Sequence, residues 1–321
     1  MNSISIIIPY YQGKDFIFNC IDSILNSYDL SQKKIIFEII VIVDSPKEYL
    51  DNKVNIITYY SHQAFLKVFV NEKNLGVAAS RNKGLELSQY DFITYIDQDD
   101  RVNYNYFSMI ENRLSDQYHC IICNGYWHYV ENDTYFKLYF TKPDLRLKTL
   151  IKQQFTIWTP GLIIINKKKV QISRFFIEVS DNLRGCDDWA AHINMVLKYP
   201  DIRFDYIKKP VFIINRHAGN FSNDIEQMYL CQIAVLEFFK KGVALKLQRI
   251  INQIIEVRTF ELKRYTDNLS KKTVLLKHTG IYFKYLCNKC GYLRYPFYRL
   301  KKMWFVLFRK NITPIYAVFC N

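Results

Sequence analysis

Two stretches of the chain, residues 5–9 (SIIIP) and 35–43 (IIFEIIVIV), are nearly continuous runs of β-branched residues. Such runs are expected of strands buried on both faces of a parallel sheet. Between them, residues 14–27 set Ile17, Ile21, Ile24 and Leu25 at helical spacing. The second run stops at Asp44-Ser45-Pro46, a turn signal. A short strand over 67–70, a helix over 76–88 and a fourth strand over 92–96 follow. This β-α-β order predicts an α/β fold with a doubly wound, mixed but mainly parallel sheet flanked by helices. Ligands of such sheets bind beyond the carboxyl ends of the strands, where Asp44 and Asp97-Gln98-Asp99-Asp100 fall.

The middle of the chain is mixed, with strand-like runs at 161–165 (GLIII) and 210–214 (PVFII) and a helical stretch near 187–198. From about 225 the pattern turns helical, over 225–241 and 243–265. There Val243, Leu247, Ile250, Ile251, Ile254 and Val257 form an apolar stripe. A boundary near 224 therefore divides a first domain, residues 1–224, from a C-terminal helical extension, residues 225–321. Within the first, residues 1–102 carry the regular β-α-β alternation and 103–224 the mixed part.

Composition narrows the function. Half of the 321 residues are hydrophobic and 16% are aromatic, which excludes a disordered chain. The net charge of +14 calls for an anionic partner. Much of the excess sits in residues 283–310, which hold eight Lys or Arg, no acid and many aromatics. That combination suits peripheral contact with an anionic membrane better than a solvated face. No RNA-binding signature accompanies it, so nucleic acid is not expected as a partner. No run approaches the length of a membrane span and no secretory leader is legible, which points to the cytoplasm and the inner face of its membrane. The eight cysteines include two Cys-x-x-Cys pairs, Cys120/Cys123 and Cys287/Cys290. The first lies in an apolar strand-like run and the pairs are far apart, so structural thiols are expected rather than a zinc site.

Asp97, Asp99 and Asp100 place three carboxylates in four positions at the end of a hydrophobic strand. Like charges so close need a cation or donors, and hard oxygen ligands suit Mg²⁺ or Mn²⁺ bridging to phosphates. An acidic turn capping the next helix is the plain alternative. Upstream, NLGVAASRNKG (74–84) has small residues for a close approach, and Arg81 is a fork suited to phosphate.

The set SIIIPYYQ, EIIVIVD, NLGVAASRNKG and YIDQDD, in this order, resembles family 2 glycosyltransferases of the GT-A Rossmann-like fold, densely over residues 4–102 and thinly to about 222. The resemblance implies that Pro9 and Tyr10 meet the nucleotide where the first strand ends. It matches Asp44 to the acid that reads the nucleobase, commonly uracil, and Arg81 to the basic residue near the phosphates. Asp97 and Asp99 match the ends of the D-x-D signature, with Asp99 the direct metal ligand. The family often has two successive acids before Gly-Ser where this chain has Val43-Asp44-Ser45-Pro46. Further on, Gly185-Cys186-Asp187-Asp188-Trp189 resembles the Glu-Asp-Trp motif of inverting members. It implies Asp188 as the base that deprotonates an acceptor hydroxyl, with Asp187 positioning donor or acceptor. Arg216 and His217 resemble the segment that closes such domains. Arg216 would neutralise the leaving diphosphate, and His217 would do the same or ligate the metal.

The reading that follows is an inverting, metal-dependent glycosyltransferase. Its donor would be a nucleotide-diphosphate sugar, UDP-linked. Its acceptor would be a glycan or a lipid-linked oligosaccharide of cell-surface polysaccharide synthesis. A non-catalytic sugar-nucleotide-binding scaffold is the rival, and the intact Asp97, Asp99 and Asp188 weigh against it. A nicotinamide-dependent oxidoreductase needs a Gly-rich turn after the first strand, where this chain has Pro-Tyr-Tyr-Gln-Gly.

Overall fold

In the computed structural model the described residues are 2–47, 56–60, 64–153, 157–177, 179 and 185–267. The basic, aromatic segment 283–310 and Cys287, Cys290 and Cys320 lie outside them. The described residues fall into two compact units. One gathers those within 1–145, 157–178 and 187–218, and the other those within 146–156, 179–186 and 219–321.

The first unit is built on one mixed sheet. In chain order its elements begin with β1 (Asn2–Tyr10), α1 (Lys14–Asp29), β2 (Ile35–Val43), the short α2 (Ile56–Tyr59) and β3 (Leu66–Val70). Next come α3 (Val77–Leu87), β4 (Phe92–Tyr95), β5 (Arg101–Val102) and α4 (Tyr106–Ile110). Strands β6 (Cys120–Tyr129) and β7 (Thr134–Lys137) are followed, in the second unit, by α5 (Leu147–Ile151). The first unit then adds β8 (Ile163–Asn166), α6 (Asp187–Lys198) and β9 (Phe204–Arg216). The strand order is β3-β2-β1-β4-β8-β6-β9-β5, with β7 on β6. Strands β1 to β4 are mutually parallel, as the β-branched runs predict, and β1 and β2 are buried almost throughout. Strand β8 runs against both β4 and β6.

Two sequence expectations needed correction. Residues 160–162 form a 3₁₀ turn and the strand begins only at Ile163. Pro160 opens that turn, and Gly161 lies under the Phe212 ring, where a Cβ would come within 2.2 Å of it. Strand β9 is far longer than residues 210–214, because irregular register opposite Cys123–Gly125 admits Pro210, which has no N–H to give a ladder. The Asn124 amide takes up the slack, donating to the carbonyls of Tyr139 (2.8 Å) and Lys208 (3.0 Å). Cys120 and Cys123 are buried thiols of β6, and burial pushes Cys123 up to about 12. Three apart on one strand, they face opposite sides of the sheet.

The second unit is helical. Asp224 caps α7 (Ile225–Lys240) by accepting from Gln227 N at 3.0 Å. Helix α7 packs on α8 (Leu245–Thr266), which buries Ile251, Ile254 and Val257 of the expected stripe. Arg258 of α8 pairs with the buried Glu261 at 2.6 Å.

Candidate functional site

The carboxyl ends of the parallel strands converge on acids. Beyond β4 the chain turns at once, Asp100 N donating to Asp97 O at 2.9 Å, and β5 then pairs with β9. This holds Asp97, Asp99 and Asp100 on one tight turn. Asp97 Oδ1 meets Arg81 Nη2, and Arg81 Nη1 meets Asp187 Oδ2 at the start of α6. Arg81 is buried and lies 5.0 Å over the Phe176 ring. Burial alone would lower its pKa, but the charges of Asp97 and Asp187 outweigh that and hold it above its ordinary value. The guanidinium read from the sequence as a phosphate fork thus spends both terminal nitrogens on carboxylates, and joins the acid turn to the Asp187-Asp188 pair.

Asp99 Oδ2 faces His217 Nε2 at 3.1 Å, and the His217 ring stacks on Phe16 with centroids 4.7 Å apart. Burial first, then the charge of Asp97, raises the Asp99 pKa. Asp100 is more deeply buried, and burial and its two acidic neighbours push it well above the usual carboxylate range. Thr159 Oγ1 lies 3.3 Å from both Asp97 Oδ2 and Asp100 Oδ2, while Asn215 N donates to Asp100 Oδ1 at 3.1 Å. The Asn215 side chain also donates to the Asp99 carbonyl, and its Oδ1 lies 2.8 Å from His128 Nδ1. Neither Thr159 nor Asn215 carries a sequence signal; only the sheet brings them to the acids.

Asp187 and Asp188 open α6, where a helix N-terminus favours acids. The chain enters through Gly185 and Cys186, both at positive φ (107° and 55°). Asp188 Oδ1 accepts from Trp189 N at 2.7 Å. Burial, then the charge of Asp187, raises the Asp188 pKa to about 7 against the opposing pull of Arg81. One turn further on, His192 is buried, and burial together with the Arg81 charge drives it down to about 3. It stays neutral and a poor base at neutral pH.

The other expected site residues line the same edge. Pro9 and Tyr10 end β1 opposite Ile42 and Val43, and Asp44 N donates to Tyr10 O at 2.7 Å. The Asp44 carboxylate is buried and accepts from Asn71 Nδ2, Leu75 N and Gly76 N, each at 2.8 Å. It therefore organises the loop leading into α3, a role its place in the sequence does not reveal. Arg216 ends β9 and lies 5.1 Å over the Trp127 ring.

Among the described residues no three His, Cys, Asp or Glu side chains converge as a ready metal cage. The donor chemistry nevertheless suits a hard divalent cation, because Asp99 and His217 already face one another beside two further raised or paired carboxylates. One or two protein ligands completed by substrate phosphates is the ordinary mode for Mg²⁺.

A mixed sheet with a doubly wound half and an acid turn beyond its fourth strand defines the class. Residues 5–172, just over half of the 321, match the family described as Glycosyl transferase family 2, and the chain belongs to that family. It is a glycosyltransferase. Among curated relatives, glycosyltransferase GlyG of Streptococcus pneumoniae is 23% identical over 85% of this chain and 94% of its own length. The poly(ribitol-phosphate) beta-glucosyltransferase of Bacillus spizizenii is 30% identical over 31% of this chain, which is only 15% of that relative. Among solved structures, S. aureus TarS 1-349 in complex with UDP-GlcNAc superposes with a TM-score of 0.56 at 18% identity, covering 87% of this chain and 76% of that one. This likeness shows the shared GT-A fold.

Proposed function

We propose that the chain is an inverting, metal-dependent glycosyltransferase of cell-surface polysaccharide synthesis. It moves a sugar from a nucleotide-diphosphate donor, UDP-linked, to a hydroxyl of a glycan or lipid-linked oligosaccharide. The observation that carries this reading is Asp188, poised near pH 7 beside an arginine-bridged pair of acids. The UDP-GlcNAc complex of TarS and the poly(ribitol-phosphate) in the name of the Bacillus relative support the donor and acceptor classes.

In this mechanism Asp188 accepts the proton of the acceptor hydroxyl as its oxygen attacks the anomeric carbon from the face opposite the leaving diphosphate. Arg81 fixes Asp187 and Asp97 and tempers the charge around Asp188. Asp99, with Asp97 and His217, would hold Mn²⁺ or Mg²⁺, which offsets the charge that develops on the diphosphate. Pro9, Tyr10 and Asp44 lie where the nucleoside would sit, and Arg216 is placed to meet the leaving group. Peripheral contact with an anionic membrane on the cytoplasmic face is assigned to residues 283–310, outside the described residues. No helix among the described residues is long and apolar enough to cross a membrane.

The test is nucleotide release from a panel of sugar nucleotides, with and without Mn²⁺, for wild type, Asp99→Ala and Asp188→Asn. Hydrolysis or transfer of one donor that needs metal, Asp99 and Asp188 supports the proposal. Metal-independent turnover, or turnover that survives Asp188→Asn, overturns the assigned roles.

A further inference from the structure

The acid turn holds a fourth polar residue, Gln98, between two of the carboxylates. Its side chain does not join them. Instead Tyr11 N donates to Gln98 Oε1 at 2.8 Å and Gln98 Nε2 donates to Tyr11 O at 2.9 Å. The side-chain amide pairs with both backbone groups of one residue, and only one orientation of the amide satisfies both bonds.

Tyr11 sits in the loop between β1 and α1, and that loop is held from its other side too. Asp44 N donates to Tyr10 O, and Gln12, at a positive φ of 51°, donates from its N to Ser45 Oγ at 3.4 Å. The loop is therefore tied to the end of β2 on one flank and to the acid turn on the other, 87 residues away in the chain. Gly13 closes the arrangement. Its φ is −103°, which any residue adopts, yet a Cβ there would lie 2.2–2.4 Å from the Gln98 amide atoms. The glycine makes room for the amide; its own backbone does not need it.

We propose that Gln98 is a positioning residue: its amide straps the loop over residues 10–13 to the acid turn, so that the groups meeting the nucleoside and those meeting the diphosphate are placed as one unit. The inference rests on the donor-site reading above. Gln98 itself need not touch the donor.

The experiment compares Gln98→Ala, Gln98→Met, Gly13→Ala and the Gln98→Ala/Gly13→Ala double variant in the full chain. The readouts are UDP, GDP and dTDP affinity with Mn²⁺ by calorimetry, donor KM, kcat and thermal midpoint. Two lost hydrogen bonds predict about a tenfold rise in donor KM and in nucleotide Kd, with kcat within about twofold of wild type. Gln98→Met keeps the length but neither bond, so it fails to rescue. Gly13→Ala displaces the amide and matches the Gln98 variants, yet adds nothing on top of Gln98→Ala. A purely structural role would lower the thermal midpoint without this split between KM and kcat.

Wild-type affinity and KM in Gln98→Met, a silent Gly13→Ala, or additive effects in the double variant overturn the strap while leaving the proposed function intact. Wild type that binds no nucleotide diphosphate overturns that function, and the strap with it.

Discussion

The two ends of the parallel strands both bury acids, and they treat them in opposite ways. Near the amino ends Glu38 of β2 accepts from Ser5 Oγ at 2.6 Å and from Gln89 N and Lys67 Nζ at 2.7 Å each. Burial alone would raise its pKa, but these donors outweigh it and keep Glu38 below its ordinary value. At the carboxyl ends Asp99, Asp100 and Asp188 are all raised, because burial and neighbouring acids outweigh the donors they have. A satisfied carboxylate contributes stability, whereas a crowded one costs it, and crowded carboxylates gather at functional sites. The same fold thus separates a satisfied acid from crowded ones.

The largest effect expected of breaking this contrast is at Asp188. Asp188→Asn keeps the acceptor for Trp189 N but removes the proposed base, so kcat falls by on the order of 10²–10⁴ while donor affinity is retained. Steady-state kinetics with separate donor-binding measurements check this. Asp99→Ala should follow, with a loss of roughly 10²–10³ in kcat and loss of Mn²⁺-dependent nucleotide binding, read by calorimetry with and without metal.

The raised pKa of Asp188 also sets a pH signature. The base works deprotonated, so kcat should fall about tenfold per unit below pH 7, and Asp188→Asn should flatten that limb. Stability runs the other way. A carboxyl raised on folding holds its proton more tightly in the folded state, so its ionisation costs stability increasingly between about pH 4 and pH 7. Asp188→Asn should therefore melt higher than wild type at pH 8 and equally at pH 4, each kcal/mol released being worth roughly 2–4 °C. Equal melting at both values would show that Asp188 is not crowded.

Glu38 supplies the opposite sign. Its stabilisation is present above the ordinary carboxylate pKa and is lost as pH falls through its lowered folded value. Glu38→Gln should cost about 1–3 kcal/mol at pH 7, measured by denaturant unfolding, with kcat unchanged. The smallest effect is expected at Thr159, whose hydroxyl is shared at 3.3 Å by two acids. Thr159→Val should change kcat only a few-fold, and a larger loss would mean that this hydroxyl touches substrate.

Much of the fold is legible in the pattern of residues. The runs at 5–9 and 35–43 announced buried parallel strands because only strands covered on both faces can be apolar without alternation. The helix opened by Asp187-Asp188 and the two helices after 224 were legible from apolar spacing. Of the strand at 204–216 only residues 210–214 were, since the part before Pro210 joins the strand through an irregular register that the sequence does not mark. Glu38 was equally silent, a single acid inside IIFEIIVIV with nothing nearby in sequence to mark its partners.

For this protein the sequence by itself determined the order of strands and helices over the first hundred residues, the acids at the strand ends and the family they resemble, because these depend on local pattern and spacing. Tertiary structure decided what each acid can do. Arg81 reaches Asp97 and Asp187 only when α3, the acid turn and α6 meet, 16 and 106 residues apart in the chain. Gln98 finds Tyr11, and Asn215 finds Asp99, only across strands. Burial and neighbouring charge exist only in the folded chain, and they are what raise Asp99, Asp100 and Asp188.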